Sequence, residues 1–249
     1  MTRRIIDITG ADRAQFLQGL ITNDVKKLSG GGLVYAALLT PQGKYLADFF
    51  LHEVDERIRL DVAAELAPAL VKRLSMYRLR SDVTLTETEA EVRRGTGPAP
   101  EGALMDPRHP AMGWRLYDAA AQADGTDWTA LRVTHCIPES GIELTPDTFI
   151  LEAGFERLNG VDFKKGCYVG QEVTARMKHK TELRKGLITV ACEGAAPEGT
   201  EIIANGKVAG TLYSQAEGLA IAYLRFDRMT EAMEAGEARL HPLPERASP

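Results

Sequence analysis

The sequence predicts an α+β fold built on an antiparallel sheet and followed by a small β-barrel or sandwich. Three observations predict it. Strands joined by short turns and followed by a helix fill the first third of the 249 residues. No Gly-x-Gly-x-x-Gly follows a strand, so the pattern is not that of a parallel dinucleotide-binding sheet. Toward the C-terminal end Asn205-Gly206 stands between two apolar runs, a strong hairpin signal.

Taken in order, Asp12 to Ile21 carries Phe16, Leu17, Leu20 and Ile21 at helical spacing, with Thr9 or Asp12 as its cap. Leu33 to Leu39 reads as a buried strand, Pro41-Gln42-Gly43-Lys44 as a turn and Tyr45 to Val54 as the next strand. A further strand covers Ile58 to Val62. Leu66, Leu70, Leu74 and Tyr77 then mark a helix whose Pro68 falls in the first turn, where a missing N–H is tolerated. Asp82 to Thr86 is another strand, and residues 95–102, with Pro98 and Pro100, form a candidate linker. Trp128 to Cys136 reads as a helix that stops before Pro138. Leu187 to Cys192, Glu201 to Ala204, Val208 to Ser214 and Leu219 to Leu224 are strands, and the tail after Pro242 is expected to fray. Residues 1–185 are thus read as one region of two packed parts, and residues 186–249 as the barrel and tail.

With 44% apolar and 26% charged residues the chain is globular in composition. Thirty basic against thirty-five acidic side chains leave −5, which gives no general attraction to nucleic acid or a membrane surface. No apolar run approaches the ~20 residues that span a bilayer. Arg3 and Arg4 are followed by Asp7 and Asp12 with no apolar signal core. The expectation is a soluble, cytoplasmic protein.

The three cysteines, Cys136, Cys167 and Cys192, have neither paired spacing nor a CxxC, so no metal site and no disulfide framework is expected. Gly30-Gly31-Gly32 lacks the lysine and serine of a phosphate loop, and no serine nucleophile elbow or HExxH is present. The informative segment runs from Phe163 to Arg176. Between Lys164 and Lys185 lie seven lysines and arginines against Glu172 and Glu182, a net +5 in 22 residues, so the remainder carries −10. Such a segment attracts an anionic group. Gly166 and Gly170 bracket Cys167, and Val169 to Lys178 reads as a helix. Lys164, Lys165 and a nearby helix start are the surroundings that lower a thiol pKa. The plainer reading is a solvated basic helix beside a buried thiol.

Lys165-Gly166-Cys167-Tyr168-Val169-Gly170-Gln171-Glu172 resembles the signature of the folate-binding YgfZ family, relatives of the glycine-cleavage aminomethyltransferase. Phe16 to Val25, Leu38 to Lys44, Asp106-Pro107-Arg108 and Met112 to Arg115 resemble further blocks of that family. Arg176, His179 and Arg184-Lys185-Gly186-Leu187 resemble its mitochondrial branch, whose members assist assembly of 4Fe–4S proteins. The resemblance spans residues 5 to 225 or so.

It implies an aminomethyltransferase-like fold of α+β parts around a central hole that holds a reduced folate, tetrahydrofolate. Folate pairs an apolar, hydrogen-bonding pterin with an anionic glutamate tail, which suits a buried carboxylate and a basic rim. By the resemblance Glu139 is the pterin carboxylate, with Glu152 as rival. Asn23, Asp24, Lys165, Tyr168, Gln171 and Arg176 are the other binding candidates, and Arg78 and Arg80 are candidates for the tail. Cys167 is the expected functional thiol, and Cys136 and Cys192 are expected to be structural. Aminomethyltransferases do not carry the Lys-Gly-Cys-Tyr block, so the expected role is a tetrahydrofolate-binding accessory factor for iron–sulfur clients or assembly proteins rather than an enzyme. The alternatives are a folate-dependent aminomethyl or one-carbon transferase and, last, an RNA-binding module.

Overall fold

The computed structural model describes residues 2–118, 124–180 and 182–243. The chain forms two compact units, Met1–Thr126 with Phe155–Ala175, and Asp127–Gly154 with Arg176–Pro249. The first unit opens with β1 (Arg3–Thr9), α1 (Arg13–Gln18), β2 (Val34–Leu39), β3 (Tyr45–Val54), β4 (Arg57–Ala63), α2 (Ala67–Arg78) and β5 (Thr84–Thr88). These five strands make one antiparallel sheet in the order β2-β3-β4-β1-β5. Strands β6 (Val92–Gly95), β7 (Leu104–Met105) and β8 (Trp114–Tyr117) form a small sheet in the order β6-β8-β7. The expected linker at 95–102 is the loop between β6 and β7 of this sheet, and the Trp114 indole donates to the Gly97 carbonyl across it at 3.0 Å.

Strand periodicity sorts side chains onto two faces of the large sheet. Ile6, Ile8, Val34, Ala36, Leu38, Phe49, Leu51, Ile58, Leu60 and Val62 face one way and bury against Phe16, Leu17, Leu70 and Leu74 of the helices. The opposite face is buried and charged. There Asp61 accepts from Arg3 (2.6 Å), Arg115 (2.9 Å) and the Tyr117 hydroxyl (2.9 Å). Asp106 takes Arg108 (2.8 Å) and Arg115 (3.3 Å), and Asp48 accepts from Tyr35 and Tyr45. The guanidinium carbon of Arg115 lies 3.8 Å from the Phe50 ring centroid. Burial alone would raise the Asp106 carboxyl, but Arg108 and Arg115 outweigh it and bring it down to about 2.

Strand β1 was not foreseen, because Arg3, Arg4 and Asp7 read as a charged end. Only the sheet supplies their partners, Asp61 for Arg3 and Arg59 for Asp7. Helix α1 is shorter than expected, and Asp12 at its N-cap makes no side-chain cap bond, its carboxylate accepting from Asp82 N at 2.8 Å instead.

The second unit contains α3 (Trp128–Thr134), the end of α4 (Gln171–Lys180), and β9 (Lys185–Glu193), β10 (Glu201–Ala204), β11 (Lys207–Ala216), β12 (Leu219–Arg225), β13 (Met233–Ala235) and β14 (Ala238–Pro242). The six strands close a barrel in the order β10-β11-β12-β9-β14-β13 around Val190, Ile202, Leu212, Ala222, Leu224 and Leu240. Val133 and Cys136 of the α3 segment pack on Ile221 of the barrel wall, so this unit includes residues ahead of the expected 185/186 division. Asn205 (φ 49°) and Gly206 (φ 72°) make the foreseen hairpin turn. The tail from residue 244, part of the segment expected to fray, lies outside the described residues.

Candidate functional site

Cys167 is exposed, whereas Cys136 and Cys192 are buried. It lies in the loop ahead of α4, which starts at Gln171 rather than at Val169. The loop borders a cleft of about 620 Å³ in the first unit. Val25, Leu28 and Ile58 give that cleft apolar surface, and Gln15, Gln18, Lys26 and Glu53 give it polar edges.

Lys165 holds the loop in place. Its buried ammonium donates to the carbonyls of Gln18 (2.9 Å) and Ile21, and sits 4.9 Å from the centroid of the Tyr168 ring. Gln18 is the last residue of α1, where carbonyls lack helical partners. Burial lowers the Lys165 ammonium from 10.5 to about 8, with Asp24 and Asp162 holding it up in part. Tyr168 is buried beside it, which pushes the phenol up to about 12.

Asn23 and Asp24 are engaged in the same corner. Asn23 Nδ2 donates to the carbonyls of Tyr35 (2.8 Å) and Asn159 (2.7 Å), and its Oδ1 accepts from Lys27 Nζ (2.8 Å). Asp24 caps the 3-10 turn Val25–Gly30 by accepting from Lys26 N, and also takes Gln18 Nε2 at 3.1 Å. Both residues therefore fasten backbone around the Cys167 cleft.

The turn at Thr40–Lys44 meets the start of α4 closely. A Cβ on Gly170 (φ 84°) would lie 2.6 Å from the Thr40 carbonyl oxygen, and one on Gly43 (φ 75°) would lie 2.8 Å from Val173 Cβ. Both positions thus demand glycine for conformation and for space. This contact gives a physical reason why the Leu38–Lys44 and Lys165–Glu172 blocks occur in one protein.

The second unit holds the remaining candidates. Glu139 pairs with Arg132 Nε at 2.9 Å, at the edge of a buried cluster in which Arg132 also reaches Glu143 (3.2 Å) and Ser214 Oγ (3.0 Å). Glu152 is buried; its Oε2 accepts from the Tyr223 hydroxyl and lies 3.9 Å from Lys185 Nζ. A recess of about 300 Å³ opens there, lined also by Met177, Arg184 and Arg225. Arg176 is exposed on α4, and Gln171 is half-buried at that helix's start in the first unit.

Sequence reasoning missed Glu53, Lys26 and Gln15 around Cys167, because cleft lining follows from packing and leaves no local pattern. It also missed the Arg3–Asp61–Arg115–Asp106–Arg108 network. Its available signal was acidic residues, Asp48 and Asp61, each set between apolar neighbours in a strand.

Comparison with known proteins places the chain in a family. Residues 184–249 match the model described as the CAF17 C-terminal beta-barrel domain. The mouse mitochondrial iron-sulfur cluster assembly factor IBA57 is 33% identical over 275 residues, covering 90% of this chain and 75% of its own length. The human protein of that name is 30% identical, covering 89% of this chain and 75% of its own. The Mycosarcoma maydis homologue is 34% identical over 222 residues, but this chain spans only 55% of its length. Among solved structures, the glycine cleavage system aminomethyltransferase T of Bartonella henselae superposes over 98% of this chain and 84% of its own, with a TM-score of 0.75 at 16% identity. That agreement establishes the aminomethyltransferase fold expected from the sequence.

The relatives also correct one expectation. They are mitochondrial by name, which overturns the cytoplasmic placement. Net charge and the lack of a long apolar run describe the surface of a folded chain and carry no cellular address. The chain belongs to the IBA57 family of iron-sulfur cluster assembly factors.

Proposed function

We propose that this chain is a tetrahydrofolate-binding accessory factor in the assembly or repair of iron–sulfur proteins, with Cys167 as its functional thiol. One observation carries the reading: Cys167 alone of the three thiols is exposed, and it stands at a cleft whose walls Lys165 ties together. The family relatives, named as iron-sulfur cluster assembly factors, support the class of client. The resemblance to the folate-binding YgfZ family supports the ligand.

One recess offers a folate both a carboxylate and cations. Glu152 keeps Oε1 without a partner among the described residues, while Arg184, Lys185 and Arg225 set cations around the same recess. At about 300 Å³ the recess would seat one end of such a ligand rather than all of it. Glu139 offers a second carboxylate, tempered by Arg132. Asn23, Asp24 and Lys165 enter the proposal as residues that hold the Cys167 loop, and Gln171 and Arg176 as accessible polar groups. A bound reduced folate supplies a nucleophilic nitrogen edge able to carry a one-carbon unit.

Calorimetry with tetrahydrofolate tests the ligand, and complementation tests the thiol. Glu152→Gln should weaken binding by about 1–3 kcal/mol, the cost of a mismatched buried partner. Absence of heat and of any thermal shift would end the folate reading. In cells lacking the protein, Cys167→Ser should fold and bind folate yet fail to restore iron–sulfur enzyme activity. Full restoration would remove the thiol from the function. Transfer of a one-carbon unit from an aminomethyl donor to tetrahydrofolate would instead favour the transferase that the fold resembles.

A further inference from the structure

Helix α2 packs Ala67, Leu70 and Leu74 into the first unit's core, yet its C-terminal end exposes two large apolar side chains. Met76 is 62% exposed and Leu79 is 88% exposed. Leu79 also carries a backbone conformation that leucine avoids, φ 45° and ψ −106°. It occupies the first central position of a turn closed by Ser81 N–H donating to the Arg78 carbonyl at 2.8 Å. That position in a II′-type turn is the ordinary place of glycine. A leucine there is strained, and at this exposure no packing inside the unit offsets the strain.

The surroundings are basic. Between the flanking Glu65 and Asp82 the chain holds Lys72, Arg73, Arg78 and Arg80 and no acidic residue, a net +4, or +2 with the two flanks, on a protein whose total is −5. Among the described residues Lys72, Arg73 and Arg80 form no ion pair, and Arg78 makes only a long bond to the Val83 carbonyl at 3.4 Å. We infer that the Met76–Leu79 knob with its basic rim docks an acidic protein partner, which receives Leu79 in an apolar pocket flanked by carboxylates. Charge complementarity selects the sign of the partner and speeds encounter, and the apolar side chain supplies the anchor.

A protein suits the knob better than its two polyanionic rivals. An interfacial membrane helix needs a broad apolar face, and the apolar face of α2 is already spent on the core. Single-stranded nucleic acid is gripped by exposed aromatic platforms, whereas Tyr77 is partly buried against that core.

The test places a photoreactive benzoylphenylalanine at position 79 of the full chain in cells that make it, with position 105 as an exposed control. The expected result is a discrete protein adduct at 79 alone, mapping to a partner peptide with Asp or Glu beside apolar residues. Lys72→Glu with Arg80→Glu should abolish it. Excess wild-type chain should compete the adduct away. Leu79→Gly, and Leu79→Asn as a second variant, should keep or raise the melting temperature while competing about tenfold or more weakly, as expected for one lost buried leucine. Adducts at 79 no stronger than at 105 would overturn the inference. So would cross-linking to lipid, to RNA or to a second copy of the chain, or full competition by Leu79→Gly. Leu79-dependent binding to phosphatidylcholine–phosphatidylserine vesicles or to poly(A) would do the same. None of these readouts depends on folate or on Cys167, so failure here leaves the proposed function standing, and the reverse.

Discussion

Lys165 Nζ and the carbonyl oxygen of Gln18 lie 2.9 Å apart although 147 positions separate them in the chain. The bond joins the last residue of α1 to the loop that carries Cys167, and a second bond from the same ammonium to the Ile21 carbonyl completes the tie. The thiol's position on the cleft is therefore set by a buried cation, which must give up part of its hydration to be there.

That burial predicts a pH dependence. The Lys165 ammonium titrates near 8 in the folded chain against 10.5 when free, so between those values the unfolded chain holds more protons. Stability from this group therefore rises as pH climbs through that window, and is lowest below pH 8. The difference in unfolding free energy between wild type and Lys165→Met, followed by denaturant melts, should change across pH 8 to 10.5. A difference independent of pH would show that the amine is not desolvated.

His52 predicts a dependence of the same sign in the acid range. Burial, with Arg59 adding to it, lowers its imidazole from 6.5 to about 4, and its Nε2 has no hydrogen-bond partner. The ring stacks on Tyr117 at 4.4 Å between centroids. Stability from this site is present above pH 6.5 and is lost as pH falls toward 4, because the unfolded chain then binds the extra proton. His52→Phe should retain the stack, cost little at neutral pH and blunt acid unfolding over that range in thermal melts.

Asp61 is the acidic centre of the charged layer, accepting from Arg3, Arg115 and Tyr117. Asp61→Asn would leave two buried guanidiniums short of charge, a loss of about 3–5 kcal/mol by analogy with other broken buried pairs. Urea unfolding measures it directly. A loss below about 1 kcal/mol, the value of an exposed pair, would mean that water reaches the layer.

Thiol accessibility gives the fourth prediction. Alkylation at neutral pH, mapped by peptide mass, should label Cys167 well before the other two. Cys192 is slow on two counts, since burial covers its sulfur and pushes its pKa up. Cys136 is buried against Val133 and Ile221, so it should react only on unfolding. Equal rates for all three would contradict the packing of the second unit around Cys136 and Cys192.

The sequence by itself determined the elements whose signals are local. A largely apolar run behind the Pro41–Lys44 turn defined β3 over Tyr45–Val54, Pro68 marked the first turn of α2, and Asn205-Gly206 fixed a barrel hairpin. Arg176, His179 and Arg184–Leu187 likewise pointed to the iron–sulfur assembly factors without any coordinates. Tertiary structure decided what depends on distant partners. Strand β1 looked like a charged terminus until Asp61 and Arg59 neutralised Arg3 and Asp7 across the sheet. Lys165 read as a folate-binding candidate beside Cys167, and only the carbonyls of Gln18 and Ile21 made it a buried strut. Nothing in the sequence singled out Leu79, and its exposure and left-handed backbone emerged only in the folded chain. Local patterns encode backbone preference because neighbouring residues share it, whereas desolvation and ion pairing are settled by whichever groups the fold brings within a few ångströms.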